Sequence, residues 1–310
     1  MLDERLLNKN GRAAVMIARE LFDWQIGTQI LRVADYAQKF QVGNGTIQGA
    51  LHVLVEMGAI ALETRGQYGT FLTGIDRNQT RSVAGLGPLL GSIPLPYSRR
   101  YEGLATALYE VAARRGTSIS LNYMRGGSTR VDALMRGQVD FTVISAMACD
   151  LVQQSGNGLM AVAVLPEGTY VGDHAVLVAD AAATGIVGGM TVGVDPSSID
   201  QMELTQAECS GRQVTLLEAP YTMLLDKLLR REIDAVIWNA DEIQVRHPDI
   251  LVRPLQSDAG RALSRRHTRA ALVARGDRHG VVELLRDVMD PAALTAVQAD
   301  VLTGSRLPSY

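Results

Sequence analysis

The stretch NYMRGGSTRVDALMRGQVDFTVISA, residues 122–146, carries the pattern that decides the fold. Thr117-Ser118-Ile119-Ser120-Leu121-Asn122-Tyr123 leads into it with the β-branched, aromatic alternation of a strand, and Phe141-Thr142-Val143-Ile144 is a short apolar run of the buried kind. Between them Val131, Leu134 and Met135 recur at i, i+3 and i+4, which predicts a helix with one apolar stripe. Gly137 stands where the end of such a helix needs a residue free to take positive φ. The loop Arg125-Gly126-Gly127-Ser128 therefore opens a helix N-terminus. Ser128 or Thr129 can cap its first turn, the glycines admit another molecule to the backbone, and free N–H groups with the helix dipole favour an anion. Arg125 adds a two-pronged grip on a carboxylate or phosphate. The plainer reading is a tight Gly-Gly turn with Arg125 in solvent.

Working outward, pieces of strand and helix alternate from about residue 90 to the C-terminus. Ser92-Ile93-Pro94-Leu95-Pro96-Tyr97-Ser98 leads into a helix ending near Gly116; Met190-Thr191-Val192-Gly193-Val194 leads into Asp195-Pro196-Ser197-Ser198 and another helix. Ile233-Asp234-Ala235-Val236-Ile237-Trp238 is a buried-type strand ending in Asn239. The alternation predicts an α/β architecture with largely parallel sheets. Residues 77–90, rich in Gly, Asn, Ser and Arg with weak periodicity, read as a linker.

The N-terminal segment, residues 1–76, follows different rules. Helices are predicted over about 12–23, 32–40 and 46–57, the last with Ile47, Ala50, Leu51, Leu54 and Val55 inward. Two short strands flank Arg65-Gly66-Gln67-Tyr68-Gly69 as a hairpin, so three helices and a hairpin make a winged helix. In order, Ala34-Asp35-Tyr36-Ala37, Phe40-Gln41-Val42, Thr46-Ile47, Leu51-x-x-Leu54, Gly58-Ala59-Ile60 and Arg65 to Phe71 resemble the winged helix of GntR-type transcription regulators. The chain departs from that family at Gly43-Asn44 and Gln48, where Ser-Arg and Arg are usual. Asn and Gln still read base edges, but the phosphate grip is weaker. The DNA-facing residues implied are Arg32, Asn44, Thr46, Gln48, Arg65, Gln67 and Tyr68.

Met124-Arg125-Gly126 with Gly137-Gln138-Val139-Asp140, and Leu229-Arg230-Arg231-Glu232-Ile233-Asp234-Ala235-Val236, resemble the recurring units of the type 2 periplasmic-binding-protein fold used in LysR-type effector domains. With the winged head, the whole chain is similar to the YhfZ-type regulators. The resemblance implies a multidomain chain: a winged helix-turn-helix (α+β) over 1–76, a linker over 77–90 and a two-lobed α/β effector domain over 91–310. In such a fold a ligand lies between the lobes at the C-terminal ends of strands. That rule selects Ser92, Tyr97, Arg125, Gly126, Gly127, Ser128 and Ser145 from the first lobe, and Asp195, Ser197, Ser198, Trp238 and Asn239 from the second.

A chain of 310 residues, 47% hydrophobic, buries a sizeable core, and a net charge of −3 with intermixed signs advertises no nucleic acid, leaving DNA contact to a local surface. Cys149 and Cys209 are the only cysteines, without Cys-x-x-Cys spacing, and no secretory segment opens the chain, so a reducing cytoplasm is expected. No apolar run reaches membrane-span length. The five histidines show no metal-ligand spacing, and no nucleophile elbow or P-loop occurs, so neither metal, cofactor nor catalysis is expected. The expected activity is that of a homodimeric repressor binding a double-stranded operator and released by a small anionic effector. The alternatives are a ligand-binding protein whose head only dimerises, and a binding-protein-fold lyase or synthase using Asp195 or Glu218 as base.

Overall fold

The structure, a computed structural model, describes residues 7–96, 98–241, 243 and 250–310. The chain forms two compact units: Met1–Leu89 with Ala112–Ser118 and Gly276–Val288, and Leu90–Val111, Ile119–Arg275 and Met289–Tyr310.

The first unit holds α1 (Lys9–Leu21), α2 (Val33–Phe40) and α3 (Asn44–Glu56) around one apolar core. α1 begins earlier than its apolar periodicity suggests because the Asn8 side chain accepts from the Gly11 N–H at 2.8 Å and caps it. Its Ala14, Ile17, Ala18 and Leu21 meet Tyr36 of α2 and Ile47, Ala50 and Leu54 of α3. The antiparallel hairpin β1 (Ile60–Thr64) and β2 (Thr70–Ile75) follows, with a 3₁₀ turn at Gly66–Tyr68. Gln29 bridges to Phe71 and gives the wing a third, one-residue edge. This is a winged helix.

Residues 77–90 are not an irregular linker: α4 (Arg77–Ala84) begins there, capped by Asp76 and packed on α1. Apolar periodicity misses it because its buried face is polar. Arg77, 7% exposed, donates to the carbonyls of Phe22 (2.5 Å) and Trp24 (2.7 Å), and Thr80 Oγ donates to the Ala59 carbonyl at 2.9 Å. Arg81 turns back to the Gly87 carbonyl at 2.9 Å.

A late helix completes this unit. In the second unit, β3 (Leu89–Ile93), α5 (Arg99–Arg114), β4 (Ile119–Tyr123), α6 (Gly127–Met135), β5 (Phe141–Ser145), α7 (Ala146–Gln154) and β6 (Leu159–Val164) build the first lobe. The chain then crosses to β7 (His174–Val178), β8 (Thr191–Val194), α8 (Ile199–Cys209), β9 (Thr215–Glu218), α9 (Tyr221–Leu229), β10 (Ala235–Asn239) and β11 (Leu251–Pro254). α10 (Asp258–His267) carries it back to β12 (Ala270–Arg275). Next come α11 (His279–Val288), which belongs to the first unit, and α12 (Pro291–Thr303). Strand order is β4-β3-β5-β12-β6 in one sheet and β11-β7-β10-β8-β9 in the other.

Both sheets are mixed, against the expectation of largely parallel ones. β3–β5, β8–β9 and β8–β10 are parallel, whereas β12 runs antiparallel to β5 and β6, and β7 to β10 and β11. β7 and β12 are the strands entered straight from an interlobe crossing, so their direction is set by the crossing rather than by a right-handed βαβ return.

α11 docks within the first unit at the C-terminal end of α1. Gly280 N–H donates to Asp23 Oδ1 at 3.0 Å, Arg278 pairs with the same carboxylate at 2.9 Å, and Arg77 Nη2 reaches Glu283 at 2.5 Å. A Cβ on Gly280 would stand 2.0 Å from the Phe22 carbonyl oxygen, so the approach requires glycine.

Candidate ligand cleft and DNA-facing surface

The cleft lies between the two sheets of the second unit and has a volume of about 90 Å³, below the roughly 300–1,000 Å³ usual for a ligand pocket. Its first wall is organised by α6. The helix buries Arg130, Val131, Ala133 and Leu134, and leaves Met135 39% exposed. The inward face is thus turned from the predicted stripe, and an arginine lies on it. Arg130 is 3% exposed; Nε donates to the Val143 carbonyl (3.1 Å), Nη1 to the Met124 carbonyl (2.9 Å) and Nη2 to the Tyr170 hydroxyl (2.8 Å). Among the described residues no carboxylate forms an ion pair with it. A guanidinium has five N–H donors and a full charge, so this one retains donors and positive potential on the cleft.

Burial, opposed by Arg130, pushes the Tyr170 phenol up to about 12, and Tyr101, packed edge-on to it at 5.5 Å, is raised well above the phenol range by burial. Both stay neutral. On the opposite wall the Tyr221 and Trp238 rings stack at 3.9 Å and 12°. The Tyr221 hydroxyl accepts from the Asn239 N–H at 3.0 Å, which fixes the pair.

Asp195 also faces the cleft, but its carboxylate accepts from Ser197 N (2.9 Å), Ser197 Oγ (2.7 Å) and Tyr221 N (2.7 Å). It organises the 195–198 loop. Glu218 is exposed on β9 and does not line the cleft, so neither carboxylate has a base's setting.

Asp200, in the first turn of α8, lines the cleft and takes hydrogen bonds from His267 Nδ1 at 2.5 Å and from Ser145 Oγ. Burial raises its pKa, but the His267 charge and these two hydrogen bonds outweigh it and hold the group below the usual range. His174, whose ring is 5.9 Å from that of His267, is lowered to about 4 by burial and by its neighbour. Its unfolded form binds a proton near pH 6.5, so between pH 6.5 and 4 the unfolded state holds more protons and stability is lost as the pH falls. From pH 7 to pH 5 this group alone removes about 2 kcal/mol. Denaturant titrations of wild type and His174→Gln at the two pH values should show a smaller acid loss in the variant.

Of the residues expected along the walls, Arg125, Gly126, Gly127, Asp195, Ser198, Trp238 and Asn239 line the cleft. Arg125 is exposed and its Nη1 donates to Thr222 Oγ1 at 3.2 Å, so it is a rim residue rather than the buried anchor. Ser128 does not cap α6. Its Oγ donates to the Ser197 carbonyl at 2.8 Å, and the N-cap is Gly126 at φ +79° without a side-chain bond. Ser92 is fully buried and donates to Thr142 Oγ1 (2.8 Å), and Ser145 caps α7 through the Ala148 N–H (3.0 Å). Neither lines the cleft: the Ser92 hydroxyl is spent within its own lobe, and the Ser145 hydroxyl on the Ala148 N–H and on Asp200 of the second lobe. Ser197 is spent on Asp195 and Ser128, and Tyr97 lies outside the described residues. Sequence reasoning missed Tyr101, Arg130, Tyr170, His174, Asp200 and Tyr221.

On the winged helix, Asn44 and Gln48 are exposed one turn apart at the start of α3, while Thr46 is half-buried. Arg32 is exposed before α2 and the wing tip exposes Arg65, Gln67 and Tyr68. Arg65 is engaged: it pairs with Glu63 at 2.7 Å and lies 4.7 Å over the Phe71 ring. Lys39 pairs with Glu20 at 2.5 Å.

A family profile described as the YhfZ C-terminal domain matches residues 76–310, and one described as a helix-turn-helix domain matches residues 25–72. The chain belongs to the YhfZ family. It is 31% identical over 307 residues to YhfZ of Escherichia coli K12, covering 98% of each chain. The crystal structure of YhfZ from Shigella flexneri aligns with a TM-score of 0.60 at 31% identity, over 72% of this chain and 93% of that one. The periplasmic aliphatic sulphonate binding protein SsuA of Escherichia coli aligns with a TM-score of 0.52 at 16% identity, over 70% and 74% of the two chains, which shows the fold alone. This YhfZ-family chain therefore joins a helix-turn-helix to a periplasmic-binding-protein fold, the make-up of a DNA-binding regulator with a ligand-binding domain. Among the described residues no helix is long and apolar enough to cross a membrane.

Proposed function

We propose that the protein is a homodimeric transcriptional repressor whose grip on a palindromic operator is released by a small anionic effector bound in the cleft. The observation that carries the effector class is Arg130, buried at 3% exposure with no carboxylate partner among the described residues. A buried guanidinium gains most from a charged acceptor that fits its remaining donors. The dimer is inferred from the weak phosphate grip of one head, which two half-sites about one helical turn apart would compensate. Footprinting over the gene's own upstream region, with and without small carboxylates, phosphate and sulfonates, tests the reading. Protection that no anion relieves removes the effector assignment.

The paired state of Arg65 favours a second reading in which the head serves only assembly. One substitution separates the two. If the wing meets phosphate, Glu63→Ala frees Arg65 and should tighten operator binding about three- to tenfold at moderate salt, with a steeper salt dependence. A head used only for assembly would leave both unchanged in a filter-binding titration.

A further inference from the structure

The Ser128 amide, in the first turn of α6, is already engaged across the cleft. The Ser197 carbonyl of the second lobe accepts from Ser128 N at 3.3 Å and from Ser128 Oγ at 2.8 Å. Gly126 permits the approach: a Cβ there would lie 2.8 Å from Ser197 Oγ and 3.0 Å from its carbonyl oxygen. Three residues along, Asp200 of the second lobe is held by Ser145 Oγ of the first lobe and by His267 at the end of the returning helix α10. The dipoles agree, since Asp200 is in a first helical turn and His267 in a last one. Farther round, Arg100 of α5 pairs with Asp241 at 3.1 Å, and Asp241 also accepts from Gly172 N–H in the other crossing at 3.0 Å. Every contact joins one lobe, or a crossing, to the other lobe.

We propose that these groups form a latch, with the Ser197 carbonyl seated on the Ser128 amide and hydroxyl and Asp200 bridging Ser145 and His267, that holds the cleft closed by the protein's own contacts. An effector then enters by displacing Ser197, and its anionic end takes the donors that the carbonyl gives up. Occupancy is thereby converted into a change at Asp200, which touches both lobes and a crossing helix. A charged hydrogen-bond acceptor competes well for such a seat because it outbids a neutral carbonyl roughly twofold in bond strength. The proposal concerns the cleft alone and holds or fails independently of DNA binding.

Hydrogen exchange on the purified full-length protein, with no added ligand, tests it. Each variant is read on the wall it does not belong to, so local strain cannot mimic the result. Asp200→Asn should raise exchange of the peptide covering 126–131 about tenfold, and Gly126→Ala should do the same to the peptide covering 195–202. β5 and β12 should keep wild-type exchange in both. Wild-type rates on the opposite wall in either variant, or a rise shared equally by β5 and β12, overturns the latch.

Discussion

Arg130→Met raises the effector concentration needed for operator release by at least about a hundredfold, whereas Arg125→Ala raises it by less than about tenfold. The difference follows from burial. Arg125 is exposed and bonded to Thr222, so its charge is screened by water, while Arg130 acts from inside a low-dielectric wall. Methionine fills a similar volume but removes the Arg130 bonds to the Val143 and Met124 carbonyls and the Tyr170 hydroxyl, at a cost on the order of 1 kcal/mol each. Loss of a buried charge without a counter-ion offsets part of that cost, so the melting temperature should shift by only a few degrees. Arg130→Lys keeps the charge without the planar fork and should fall between the two. Release titrations with whichever anion relieves the footprint check the order. Equal effects at positions 125 and 130 would move the anchor to the rim.

The second large effect is on stability. Gly280→Ala should destabilise the winged-helix unit by about 3 kcal/mol or more. The added methyl would meet the Phe22 carbonyl oxygen at 2.0 Å and the Phe22 ring at 2.9 Å. Neither can yield cheaply. That carbonyl is fixed by Arg77 Nη1 at 2.5 Å, and Phe22 is 1% exposed. Retreat of α11 would also break the Asp23 bonds to Gly280 N–H and Arg278. Ser309→Ala, on the exposed C-terminal tail, is a suitable neutral control. Calorimetry should show an early transition in Gly280→Ala that wild type lacks; a single unchanged transition would mean that α11 is not part of the head's stability.

Much of the fold was legible where the inward face of an element is apolar. The strand, loop, helix and strand over 117–146 and the three helices with a hairpin over 12–73 announce themselves in this way. α4 did not, because Arg77, Thr80 and Arg81 occupy its inner face and bond carbonyls rather than pack. The same property hid Arg130: three carbonyl or hydroxyl acceptors take up a side chain that hydropathy assigns to water. Its place beside Val131 and four residues before Leu134 was the available signal. Choosing residues at the C-terminal ends of strands found the cleft's backbone positions, but side chains turned either way. Trp238 and Asn239 line it, whereas Ser92 bonds within the first lobe and Ser145 is taken up by Ala148 and Asp200. The cluster of Ser145, Asp200 and His267 joins residues up to 122 positions apart, which no local pattern encodes.

The winged-helix unit is assembled from three separate runs of chain, the last of them Gly276–Val288. During synthesis the ribosome delivers that run roughly 10 to 40 s after residue 90, at about 5 to 20 residues per second. Until then Asp23 and Arg77 lack Arg278 and Glu283. A nascent chain or a fragment cut short of α11 thus carries an unfinished head. On the function proposed above, the arrangement makes operator binding wait for the synthesis of α11, so a product cut short of it would not persist on the operator as an unresponsive blocker.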